Sequence, residues 1–189
     1  QGLNKSHPHI YDLYDSIVSD DLDKFKLHFK KMIKHSTKLL GKSYLGKLST
    51  DNINKQTVDF ANLSNFIALL GGQIKKNQSL SSDMAGIMSN LYLAYGVIWY
   101  QQHYKVSQKL TDYCLNRLID ENSILFNRVI DNYPGGLRLL LKNMKRKNNS
   151  FNYDRNRELV HEIQCNLNII DHIEDNIYLD DSLKKLKSL

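Results

Sequence analysis

The stretch Met84–Tyr104, MAGIMSNLYLAYGVIWYQQHY, decides how the chain is read. It runs 21 residues without a single Asp, Glu, Lys or Arg, long enough as a helix to cross the ~30 Å core of a bilayer. It also carries Ser89, Asn90, Gln101, Gln102 and His103, polar groups that lipid would leave without hydrogen-bond partners. A helix apolar nearly all round is equally what the centre of a helical bundle requires. The stretch is therefore expected to be a buried central helix, without membrane insertion.

Outward from it, the flanks keep helical spacing. Ser79–Ser82 caps the central helix, and Gly71-Gly72 ends the helix before it or admits a neighbouring backbone. That preceding helix starts between Asn52 and Thr57 and carries Leu63, Phe66, Ile67 and Leu70. On the other side a helix over Ser107–Tyr133 places Leu110, Leu118, Leu125, Val129 and Ile130 inside, and Pro134-Gly135-Gly136 stops it. A short basic helix reaches Lys147. After the polar run Asn148–Asn152, a last helix shows Leu159, Ile163, Leu167, Ile170, Ile173 and Ile177. Towards the N-terminus, a helix starts at Ser6–Pro8, and a second opens at Ser19 or Asp20. The second is expected to bury Leu22, Phe25, Phe29, Met32, Ile33 and Leu40 before a loop at Gly41–Asn54. The sum is an all-α protein: one domain over residues 1–189, a bundle of about six to seven helices around the central helix 84–104.

Composition supports this. Two prolines and nine glycines in 189 residues leave few helix breakers. Two cysteines, Cys114 and Cys165, make no disulfide framework, which fits a reducing cytoplasmic compartment; no leader of basic and apolar regions opens the chain. The net charge of +6 favours acidic partners mildly, but the 26 Lys and Arg are spread along the chain rather than gathered on one nucleic-acid-binding element.

Signatures of enzymes are missing: there is no Gly-rich phosphate loop, HExxH, GxSxG or CxxC. His161, Cys165 and His172 share one stripe of the last helix, within ~40° of one another. Three ligands fall one short of a closed zinc site, so a solvated polar face accounts for them and no metal is expected. His7 and His9 flank Pro8 at a helix start, and Asp20-Asp21 and Asp180-Asp181 sit where helix N-termini favour negative charge. No catalytic or cofactor-binding residue is assigned.

Aromatic side chains say more. Tyr92, Tyr95, Trp99, Tyr100 and Tyr104 crowd the central helix, and such rings either line a core edge or anchor a partner. With Ile87, Leu91, Tyr95 and Ile98 turned inwards, Leu93, Val97, Tyr100 and Tyr104 are the expected partner-binding side chains. Lys142, Lys145, Arg146 and Lys147 form the expected basic patch nearby. The expected occupant is an amphipathic protein helix with acidic flanks, and nucleic acid is not expected.

Several motifs in order resemble a known family: Leu69-Leu70-Gly71-Gly72, Lys75-Lys76, Leu80-Ser81, Ser89-Asn90-Leu91-Tyr92-Leu93-Ala94 and Asn132-Tyr133-Pro134. The stretch from His7 to Leu141 is similar to the C-terminal helical region of FadE-type bacterial acyl-CoA dehydrogenases. The segment from Asn148 onwards is outside the resemblance. That family holds flavin and acyl-CoA in upstream domains with no counterpart in these 189 residues, and Asp83-Met84-Ala85-Gly86-Ile87-Met88 departs from its pattern. The resemblance thus implies a shared helical fold and no transferable catalytic residue. A free-standing module of this kind reads as a non-catalytic cytosolic adaptor, of the sort that recruits substrates or subunits to a bacterial type IV secretion coupling complex. The alternative is the helical module of an acyl-CoA dehydrogenase without its flavin domains.

Overall fold

A computed structural model describes residues 9–45, 53–147, 153–166 and 169. Among these, seven α-helices are joined by turns and two short 3-10 segments, with no strand. The order is α1 (Ile10–Val18), α2 (Leu22–Leu45), α3 (Ile53–Ala68), a 3-10 turn (Gly71–Lys75), α4 (Gln78–Tyr104), α5 (Gln108–Asn132), α6 (Arg138–Leu141), a second 3-10 turn (Lys142–Met144) and α7 (Tyr153–Cys165). The all-α bundle expected from the sequence is what forms. Two compact units divide the chain: residues 1–94 with 118–148, and residues 95–117 with 149–189.

The first unit holds the main core. Ile53, Leu63 and Ile67 of α3 bury with Leu80, Met84, Ile87, Leu91 and Ala94 of α4. Phe126, Val129 and Ile130 of α5 and Leu141 of α6 complete it. Gly86 lets α4 and α5 approach, since a Cβ there would stand 3.0 Å from Leu125 Cδ1. Gly71 and Gly135 take positive φ (52° and 82°), the left-handed conformation that glycine adopts without strain, in the turns that follow α3 and α5. Tyr133 donates its hydroxyl to the Phe66 carbonyl at 2.7 Å, tying the end of α5 to α3; burial pushes its phenol above the ordinary value.

Polar groups lie inside this core as well. Gln56, Asp59 and Asn62 are fully buried on the face of α3 that carries Ile53, Leu63 and Ile67. Asn62 donates to the Leu39 carbonyl (2.8 Å) and Gln56 to the Ile119 carbonyl (3.0 Å), while Asn122 donates to Gln56 (3.1 Å). Each bond satisfies a group whose burial alone would cost ~1–3 kcal/mol. Ser123, buried on α5, returns its hydroxyl to the Ile119 carbonyl at 2.8 Å.

Three expectations are corrected here. Helix α2 does not stop at Gly41 but continues to Leu45, because a single exposed glycine costs a long helix only ~1 kcal/mol; residues 46–52 of the expected loop lie outside the described residues. Leu22, Phe29 and Ile33 of α2 are exposed, not core, because α2 turns Phe25, Met32 and Leu39 inwards instead. Finally, α4 buries one face rather than its whole circumference: Met88, Tyr92, Leu93, Tyr95, Trp99 and Tyr104 all stand exposed.

In the second unit, the end of α4 and the start of α5 are joined through Lys105, at φ 50°. Ser107 precedes α5 and donates its hydroxyl to Glu162 of α7, and Lys109 stands 3.6 Å from the same carboxylate. Rings stack along the α4 end: Trp99 lies 4.1 Å from His103 and Tyr100 lies 4.7 Å from Tyr104, centroid to centroid.

Candidate functional site

Helical spacing puts Leu93, Val97, Tyr100 and Tyr104 on one side of α4. Leu93 belongs to the first unit and is exposed. Val97 and Tyr100 are half-buried and Tyr104 is exposed, all three in the second unit. Tyr104 meets both Tyr100 and Trp99, the latter ring edge-on at 6.2 Å. The sequence reading turned Tyr95 inwards, yet it is 43% exposed. Tyr92, 80% exposed, is the most open large side chain of the helix. Neither follows from composition, because an uncharged helix does not announce which of its faces lacks neighbours.

The basic cluster does not survive as four surface charges. Lys142 and Lys147 are exposed, and Lys145 pairs with Asp131 at 2.5 Å. Arg146 is buried and is not a partner-binding side chain. Its guanidinium pairs with Asp59, a carboxylate 1% exposed, and lies 4.7 Å over the Phe126 ring. Its backbone N–H donates to Asn127 Oδ1 and its carbonyl accepts from Asn127 Nδ2, both at 2.9 Å. Lys55 adds a second cation to Asp59 at 2.8 Å. The reason is geometric: residues 145–147 leave the helical path after the 3-10 turn, which turns one residue of the run Lys-Arg-Lys into the core. A signal for this was present in the sequence. Gln56, Asp59 and Asn62 recur at helical spacing on the apolar side of α3, so an acid there needed a buried cation.

The polar stripe of α7 is partly in view. His161 Nδ1 and Cys165 Sγ are 3.1 Å apart and both residues are exposed; His172 lies outside the described residues. No group of three metal-binding side chains forms among the described residues. Tyr153, Asn156, Arg157, Val160, His161 and Gln164 line a shallow trough of about 380 Å³ along one face of α7. Cys114, in α5, differs from Cys165 in being half-buried, and that burial pushes its thiol above the ordinary range. No described helix is long and apolar enough to cross a membrane.

The described residues form α-helices and short 3-10 turns, with several aromatic side chains of α4 exposed. The family "Acyl-CoA dehydrogenase, C-terminal, bacterial type" matches residues 50–187, and the chain belongs to it. That match moves the boundaries of the resemblance. Helices α1 and α2 fall outside it, whereas the segment from Asn148, which the sequence reading could not place, falls inside. Comparison with curated proteins and with solved structures finds no match.

Proposed function

We propose that this chain serves as the C-terminal helical module of a bacterial-type acyl-CoA dehydrogenase and acts by packing and recognition, with no residue of its own in the redox chemistry. The family match over residues 50–187 carries this reading. The helical core of α3, α4 and α5 makes a rigid support, and the aromatic side chains of α4 give it surface for a neighbouring domain or subunit. The test is to purify the natural full-length protein and record its flavin absorbance and its reduction of an electron acceptor with acyl-CoA. Bound flavin and acyl-CoA-dependent reduction are expected, with neither property in the 189-residue chain alone. A flavin-free full-length protein overturns the reading.

A second reading is favoured by the exposure of Leu93 and Tyr104: a non-catalytic cytoplasmic adaptor that recruits substrates or subunits to a type IV secretion coupling complex. Leu93, Val97, Tyr100 and Tyr104, on one side of α4, would receive a partner helix. Affinity capture from the source cell decides this. Recovery of coupling-complex subunits, reduced by Tyr104→Ala without loss of folding, is expected. Their absence removes it.

A further inference from the structure

Helix α2 lies outside the family match and carries the largest net charge of the described helices: Lys24, Lys26, Lys30, Lys31, Lys34, Lys38 and Lys42 against Asp23 alone. Leu22, Phe29 and Ile33 stand exposed at 63, 41 and 50%. On a helix these three positions fall within ~40° of one another, a single apolar stripe. Lys26 borders the stripe and Lys30 follows just beyond it, with Lys34 further round. Lys26 has Asp23 at 3.9 Å, whereas Lys30 and Lys34 meet no carboxylate among the described residues.

We propose that this stripe is a docking site for an amphipathic helix of another protein, with apolar side chains on Leu22, Phe29 and Ile33 and carboxylates facing Lys26, Lys30 and Lys34. Charge excludes the two simpler occupants. Pairing with a second copy sets two helices of seven lysines each against one another, and like charges across a contact oppose it. An anionic bilayer would meet Asp15, Asp20 and Asp23 at the same end of the helix, all exposed, where the stripe begins. A helix reads only the stripe and its border. An acidic flank gains from the lysines and needs no acid opposite Asp20 and Asp23. The site is separate from the matched family region, so its failure leaves the dehydrogenase-module reading untouched.

The test uses the full 189-residue chain and two synthetic 18-residue helical peptides with the same Leu stripe, one flanked by Glu and one by Lys. Fluorescence anisotropy is expected to show the Glu peptide binding at least tenfold tighter, with affinity falling as salt rises. Phe29→Ser with Ile33→Ser should lose at least tenfold, and Lys30→Glu with Lys34→Glu should reverse the preference between the peptides. Circular dichroism of each variant should match the parent, because all four side chains are exposed. Equal binding of both peptides, or none, overturns the proposal. So does flotation of the chain with phosphatidylglycerol vesicles lost in the Phe29/Ile33 variant, or sedimentation of the chain as a dimer that this variant dissociates.

Discussion

The two ends of α4 have nearly the same composition and opposite environments. From Leu80 to Ala94 the helix contributes five buried side chains to the first unit. From Tyr95 to Tyr104 it contributes none, although Tyr95, Val97, Ile98, Trp99, Tyr100 and Tyr104 are as apolar as anything before them. Hydrophobicity sets which residues can be buried; neighbours decide which are. The first half meets α5 where Gly86 approaches Leu125, and the second half stacks its rings on one another.

The sharpest way to break the comparison lies in the polar heart of the first unit. Asp59→Ala leaves the buried Arg146 guanidinium without its carboxylate and should cost ~3–5 kcal/mol, read by urea denaturation. Asp59→Leu with Arg146→Met should recover most of that loss, since a well-packed apolar pair often equals a buried ion pair. A fully additive double mutant would show that the two groups do not act as one. Next comes α4 itself. Ile87→Ala, at a position with no exposure, should cost ~2–5 kcal/mol, whereas Trp99→Ala, at a half-exposed ring, should cost less than ~1.5. If the larger loss follows Trp99, the second half of α4 is the more buried one and the contrast falls.

A smaller effect tests the α3–α5 tie. Tyr133→Phe removes the bond to Phe66 and should cost ~1 kcal/mol at neutral pH. Because burial raises the folded phenol above its ordinary value of 10.0, the folded chain favours the protonated form. That contribution is complete below pH 10 and lost as pH rises through the raised folded value, so alkaline unfolding should be less steep in Tyr133→Phe. Smallest is a difference in rate without a change in stability. At mildly alkaline pH, exposed Cys165 should be alkylated by iodoacetamide before half-buried Cys114, as mass spectrometry of timed samples would show.

Much of the architecture was legible because helices advertise themselves by spacing and punctuation. Pro134-Gly135-Gly136 ends α5 where expected, and Gly71 closes α3 with the positive φ that only glycine takes freely. Packing was less legible. The alternation of Leu22, Phe25, Phe29, Met32 and Ile33 names an apolar side of α2 but not how much of it a neighbour covers, so three of these residues proved exposed. Of the four side chains expected on the open side of α4, Leu93 and Tyr104 are exposed while Val97 and Tyr100 are half-buried. Arg146 was misread because a run of three basic residues looks the same whether or not the chain turns one of them inwards. Its partner Asp59 stands 87 positions away, a separation no local pattern reaches.

The two hydrogen bonds between Arg146 and Asn127 have a kinetic meaning. Residues 145–147 belong to no helix, and a segment without ladder bonds ordinarily exchanges its amide protons quickly. Here the Arg146 amide is held by a side chain of α5 while its guanidinium is held by α3. It cannot open to solvent without breaking the buried ion pair with Asp59. Deuterium uptake at this one irregular position should therefore keep pace with the slowest amides of α3 and α5, marking the segment as part of the same cooperative folding unit.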